Sequence, residues 1–324
     1  MLSPYQEARK TRSIDEPILR SEVLYGKRLL NQLRQEALAP HPTKGTLDKF
    51  STFIAKAFPE TVVELAGDVH SACDWSMKQE RPCPFIIRAG IIFAGTLINQ
   101  GVSSIALTIL KKTGAAANAD RELSALSSIN TAAALHKMNP EASTSSWEDA
   151  ITTMPIFKWV EYPSLLLGCH HTMRELRTQS DTHGDITALL LAGNYADRAY
   201  AAITNPAIKG TPVESSVPVV GLLIEIGNIQ HATKLAGLPP LELPESTEIF
   251  RLAAFNAATN QVEPLLFPRT LTHLAQHYLR VGSPQDARDI ALQALVELHR
   301  ASTSDPELIK AIGLIVQAAN ETLE

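Results

Sequence analysis

A chain of 324 residues that is 45% hydrophobic and 19% charged, with only 16 glycines and 20 prolines, has the composition of a globular protein and excludes wholesale disorder. Its formal net charge of -5 gives no excess of cations to neutralise a phosphate backbone, so no nucleic-acid partner is expected. Three scattered cysteines, Cys73, Cys83 and Cys169, argue against a disulfide framework and for a reducing intracellular compartment, the cytoplasm or the mitochondrial matrix side.

Residues 1–14 carry Arg9, Lys10 and Arg12 against Glu7, and Asp15 and Glu16 follow where a secretory leader would have an apolar run. They read as an extended N-terminal segment, either a tether or an organelle-targeting signal. From residue 15 onward apolar side chains recur at three- and four-residue intervals, as in Ile18, Val23, Leu24, Leu29, Leu30 and Leu33, which predicts one buried helical face. Pro and Gly punctuation then divides the chain into helices at 15–38, 46–58 and 60–79. The most apolar stretch, Pro84 to Leu110, raises the question of a membrane span, but Arg88, Asn99, Gln100, Ser103 and Ser104 interrupt it. An arginine in mid-membrane costs about 2.5 kcal/mol or more, so two buried helices, 84–98 and 102–113, meeting near Gly101 are expected instead.

Further helices are predicted at 118–138, 146–153, 156–177, 184–203, 217–236, 246–259, 262–280, 284–300 and 305–322. Strand and hairpin signals are nearly absent. The Pro140–Ser146 and Pro206–Pro218 loops are rich in Pro, Ser and Thr, and Leu238–Pro244 is a stiff, extended connector. The predicted organisation is an N-terminal helical region, 15–140, and a C-terminal helical-repeat region, 146–324, which together form one array or two. Ser283 and Asp305, each followed by proline, are expected to cap the last two helices.

The segment LTHLAQHYLRVGSPQDARDIALQAL places Leu274, Ala275, Tyr278, Gly282, Ala287, Ala291 and Ala294 at a spacing that resembles a tetratricopeptide repeat. Small residues let two antiparallel helices cross closely, and glycine supplies a turn with positive φ. Gly227 with Ala232 and Ala236 looks like a weaker copy of that turn, and so does Gly193, 34 residues before it; Gly114 looks like another. The resemblance, of mixed tetratricopeptide and HEAT character, implies an all-α fold of antiparallel helical hairpins stacked as an irregular α-solenoid. The alternative from the residues alone is a non-repetitive helical bundle.

No phosphate-binding loop, dinucleotide fingerprint, nucleophile elbow, HExxH or CxxC string is present. His171 and Glu175 share a helix face and are the weak candidates for metal ligands. Cys169, His170 and His171, as neighbours on a helix, diverge by about 100 degrees each and do not converge on one ion. His273 and His277 read as an exposed imidazole pair beside the packing positions Leu274 and Tyr278, and Asp68 and His70, which Cys73 follows, point to different faces of a helix. Lys111 and Lys112 read as solvated surface. Trp159 and Tyr162, flanking Glu161, are candidate contacts for a protein partner.

No catalytic residue, cofactor or metal is therefore assigned, and the chain reads as a scaffold for protein–protein interaction. Length and alanine-rich composition are similar to those of helical accessory subunits of organellar complexes such as the mitochondrial ATP synthase of chlorophycean algae. This points to other subunits of a stable assembly as partners, with peripheral rather than transmembrane attachment. The alternatives are a regulator or adaptor that holds a peptide reversibly, and an enzyme with a helical site near Cys169–Glu175.

Overall fold

A computed structural model describes residues 16–38, 45–80, 82–117, 120–139, 143–301 and 305–324. The 1–14 segment read as a tether or targeting signal lies outside them. The described chain is all-α, with fourteen α-helices, two short 3-10 turns and no strand. It divides into two compact units, one ending at Met154 and one beginning at Pro155.

Unit 1 contains α1 (Glu16–Ala37), α2 (Gly45–Lys56), α3 (Pro59–Met77), α4 (Pro84–Asn99), α5 (Ser103–Ala117), α6 (Arg121–Met138) and α7 (Thr144–Thr153). The periodicity of α1 puts Val23, Gly26, Leu29, Leu30 and Leu33 on its buried face. The core they join is centred on Phe50 and Phe93, stacked with ring centroids 6.4 Å apart, together with Leu65, Leu97 and Ile109. Each such side chain stabilises the fold by roughly 1.5–3 kcal/mol.

The apolar 84–110 stretch is two helices, as its interrupting polar residues require. Gly101, at φ 81°, closes α4. Its N–H bonds to the Ile98 carbonyl at 3.0 Å and the next N–H, of Val102, reaches the Leu97 carbonyl at 2.8 Å, which satisfies the last carbonyls of the helix. Arg88 pairs with Glu122 of α6 at 3.0 Å. Among the described residues no helix is long and apolar enough to cross a membrane.

Unit 1 is a double layer. Besides the consecutive pairs, α1 packs on α3 and α3 on α5 in one layer, while α2 packs on α4 and α4 on α6 in the other. Unit 1 runs on past the break expected at 140–146. Trp147, Ala150, Ile151 and Met154 are buried, and α7 packs on α6, so the boundary falls at 154/155. A proline-rich loop marks where a helix breaks, whereas a unit ends where apolar contacts run out.

Unit 2 opens with a 3-10 turn, Ile156–Glu161, and continues with α8 (Pro163–His183), α9 (Ile186–Ile203), α10 (Val217–Leu235), α11 (Ser246–Ala258), α12 (Leu266–Arg280), α13 (Pro284–Arg300) and α14 (Pro306–Leu323). The single helix predicted at 156–177 is thus two elements. Proline has no N–H to donate and suits the first position of a helix, so α8 starts at Pro163 and runs on to His183, where Gly184 caps it at φ 67°. Helices α8/α9, α10/α11 and α12/α13 form hairpins, followed by α14. The first helices of successive hairpins pack together, α8 on α10, α10 on α12 and α12 on α14; among the described residues no comparable packing joins α9 to α11 or α11 to α13.

The residues that carry the repeat resemblance meet at the α12–α13 crossing. Ala275, Ala287, Ala291 and Ala294 are fully buried, with Leu274 and Tyr278 beside them, and Gly282 holds the turn at φ 75°. Ser283 N–H bonds to the Tyr278 carbonyl at 2.9 Å; its hydroxyl makes no cap, and α13 begins directly at Pro284. Asp305 does cap α14, accepting from the Leu308 N–H at 3.1 Å.

Gly227, Gly193 and Gly114 are not turns. All three lie inside helices, where the missing side chain serves close packing: a Cβ on Gly227 would lie 2.8 Å from the Phe250 ring and one on Gly193 2.8 Å from Leu241. The 34-residue interval therefore joins two helix crossings, which reward small residues as strongly as turns do. The turn of Gly282 recurs instead at Gly237, where the Leu238 and Gly237 N–H groups bond to Thr233 and Lys234 carbonyls at 3.1 and 3.2 Å.

Candidate functional site

The polar side chains singled out around Cys169 do not form one site. Cys169 is fully buried, and burial pushes its thiol far above the usual thiol range, so it carries no nucleophilic thiolate at neutral pH. His171 and Glu175 pair with each other at 2.9 Å on one face of α8. His170 points elsewhere, against α10, where a Cβ added to Gly221 would lie 3.9 Å from its ring. The divergence is that of successive helical positions. Among the described residues no group of three or more His, Cys, Asp and Glu side chains is arranged to hold a metal.

In unit 1, Asp68 pairs with Lys27 at 3.3 Å and His70 lies 3.7 Å from Asp74, while Cys73 is buried with its thiol pushed up to about 12. These three groups do not converge. Lys112 pairs with Asp74 at 2.9 Å on the surface. Trp159, expected as a partner contact, is fully buried in the 3-10 turn that packs against α9, with the Arg198 guanidinium 5.8 Å from its ring centroid. A large aromatic side chain in a short turn gains most by filling the adjoining core. Tyr162 is half-buried at the start of α8.

What the fold does assemble is a polar seam along the first-helix layer of unit 2. On α8, residues 170, 174, 177 and 181 share one face by their four-, three- and four-residue spacing; on α10, residues 221, 225 and 228 do; on α12, 273 and 280 do. Glu225 is 3% exposed, inside the otherwise apolar run VVGLLIEIGNI. A buried carboxylate requires a partner, and Arg177 supplies it at 2.6 Å while also holding Asp181 at 2.8 Å. Arg280 donates to the Asn228 amide oxygen at 3.0 Å. The seam thus crosses from α8 over α10 to α12.

The imidazoles along it are all held below their ordinary range. For His170 the cause is burial first, with Arg174, His171 and Arg177 adding to it against the opposing pull of Glu225. For His273, an exposed residue, loss of water comes first and then Arg280, Arg174 and His170. Two of those three groups belong to α8, so the walls of the seam feel each other across α10. His231 is depressed by burial, Arg280 and Lys234.

His277 differs from its expected exposed pair with His273, since it is completely buried. Its ring stacks on Phe250 with centroids 4.7 Å apart and meets His231 edge-on at 5.4 Å. Nε2 lies 2.8 Å from the Thr247 hydroxyl, and Nδ1 has no hydrogen-bond partner among the described residues. Burial, His231 and Arg280 push its pKa down to about 4. Residue 277 falls on the side of α12 that faces α11, and that register is invisible until the two helices pack.

Sequence reasoning missed Arg177 and Glu225. The available signal was a lone carboxylate in an apolar helix, which predicts a buried partner though not which one. The arrangement can bind and orient charged groups, and it brings no nucleophile to a general base. No family model, curated protein or solved structure matches the chain.

Proposed function

We propose that the chain is a non-catalytic scaffold that binds other proteins, acting as a structural accessory subunit of a larger assembly. One observation carries this reading: among the described residues of unit 2 the first helices of successive hairpins pack in a continuous layer and the second helices do not, and the continuous layer displays a ribbon of Arg and His side chains. Arrays of hairpins offer long surfaces of this kind to partner chains, and side chains held on helices meet a partner with little further loss of conformational freedom. The residue spacing of the last hairpin resembles that of tetratricopeptide and HEAT-like repeats, and arrays of those repeats serve the same role. An organellar assembly of the mitochondrial ATP synthase type, or another complex in a reducing compartment, suits the free thiols Cys73, Cys83 and Cys169.

The test is to express the tagged full chain in its native cell, fix complexes by cross-linking, and identify cross-linked residues by mass spectrometry. A stable complex of defined stoichiometry, with cross-links reaching unit 2, is the expected result. A chain that stays monomeric throughout overturns the scaffold reading, and partners that leave during a simple dilution select the reversible adaptor instead of the subunit.

A further inference from the structure

The charges of the seam do not balance locally. Glu225 and Asp181 both face Arg177, and among the described residues the Arg174 guanidinium of α8 has no hydrogen-bond or ion-pair partner while that of Arg280 of α12 has the neutral amide of Asn228. His170 and His273 likewise have no hydrogen-bond partner among the described residues. Four cationic or protonatable donors therefore line the faces that α8 and α12 turn toward α10, with the His170 ring 3.9 Å from where a Cβ on Gly221 would stand.

We propose that this groove, walled by Arg174 and His170 on one side and His273 and Arg280 on the other, docks an acidic, carboxylate-bearing segment of a partner protein. The proposal rests on the scaffold reading and gives it a place and a partner chemistry. Arginine and imidazolium donors are suited to carboxylate oxygens. The polar face of α8 from 170 to 181 spans about 16 Å at 1.5 Å per residue, enough for about five residues of extended chain at about 3.3 Å each. The occupant is a polypeptide rather than a nucleic acid, because the chain as a whole carries a charge of -5, which repels a long polyanion, and no Phe, Tyr or Trp is among the groove residues named. The charge balance also sets the pH dependence. Arg174, Arg177, Arg280 and the neighbouring imidazole His171 oppose protonation of His170 and His273, and Glu225 alone favours that of His170. A bound carboxylate adds a second favourable charge, so occupancy and imidazole protonation reinforce each other.

The experiment is fluorescence anisotropy of the full chain with a labelled six-residue Asp/Glu peptide at physiological salt, beside a Gln/Ser peptide and a deoxythymidine hexanucleotide. Saturable binding of the acidic peptide alone is expected, about tenfold tighter at pH 6 than at pH 8 and weakened at least tenfold in R174Q/R280Q. The control K234Q/R300Q, which removes the same charge elsewhere, should bind as the unaltered chain does, and circular dichroism checks that both variants fold. Absence of saturable binding, equal affinity for the hexanucleotide, or unchanged binding by R174Q/R280Q overturns the proposal. If R174Q/R280Q still enters its cellular complex as the unaltered chain does, the groove falls while the scaffold reading stands; if neither chain forms a complex, the scaffold reading itself falls.

Discussion

The two units are built from the same element, an antiparallel pair of amphipathic helices, and differ in how the pairs are layered. In unit 1 both layers are continuous, so apolar faces are covered from two sides and the core is large and aromatic, with Phe50 and Phe93 at its centre. In unit 2 one layer is continuous and the core at the last hairpin is lined by small residues, Ala275, Ala287, Ala291, Ala294 and Ala319. Polar groups follow the same division. The ion pair of unit 1 that ties α4 to α6, Arg88 to Glu122, is part-exposed at 36% and 25%, whereas Glu225 in the Arg177 pair of unit 2 is at 4%. Close crossing through small side chains brings helix faces near enough to enclose charge, and enclosed charge then has to be paired.

The sharpest way to break this comparison is to remove the cations of the two pairs. Arg177→Met leaves Glu225 buried and unpaired and should destabilise unit 2 by about 3–5 kcal/mol, whereas the double variant R177M/E225M should recover most of that loss. Hydrogen exchange of α10 peptides in a urea series reads both. If R177M leaves α10 protection unchanged, the pair is not enclosed in solution.

Acid should also act unevenly. An imidazole whose folded pKa of about 4 lies below its unfolded value near 6.5 binds fewer protons when folded. The contribution of His277 is therefore intact above pH 6.5 and falls as pH drops from 6.5 toward 4, by about 3 kcal/mol across that window. Exchange at α11 and α12 should accelerate in this range ahead of exchange at α3 and α4. The His277→Gln variant should flatten the pH slope; a slope unaltered in H277Q assigns the acid sensitivity to other groups.

The glycines at crossings give a smaller effect and a direct comparison. A Cβ at Gly90 in unit 1 would lie 2.6 Å from Cys73 Sγ, and one at Gly227 in unit 2 would lie 2.8 Å from the Phe250 ring. Gly90→Ala and Gly227→Ala should each cost about 1–3 kcal/mol in thermal unfolding, despite alanine's better helix propensity. A stabilised G227A would mean that α10 and α11 cross more loosely than described. Smallest of all, Arg88→Met should change stability by no more than about 1 kcal/mol, because its pair remains partly in water.

Helix positions were largely legible from the chain because they depend on local signals. The prolines at 59, 84, 163, 284 and 306 open helices, and the glycines at 101, 184, 237 and 282 end or follow them. Where reading failed, a local signal had two meanings. Gly227 was compatible with a turn or a crossing, and only the presence of Phe250 opposite decides it. Trp159 was compatible with a hot spot or a core, and the packing of its turn against α9 puts it inside. Of the seam, the sequence showed His170 and His273 but gave no reason to join α8, α10 and α12.

The sequence by itself therefore determined the all-α class, most helix limits and the small-residue crossing at 275–294, because three- and four-residue periodicity and backbone caps are properties of neighbouring residues. Only the tertiary structure decided which helices share a layer, and hence that Arg177 meets Glu225 across 48 positions and that Arg280 meets Asn228. Those pairings depend on the register of one helix against another, which is fixed by side-chain shape across the interface and leaves no mark at a fixed spacing along the chain.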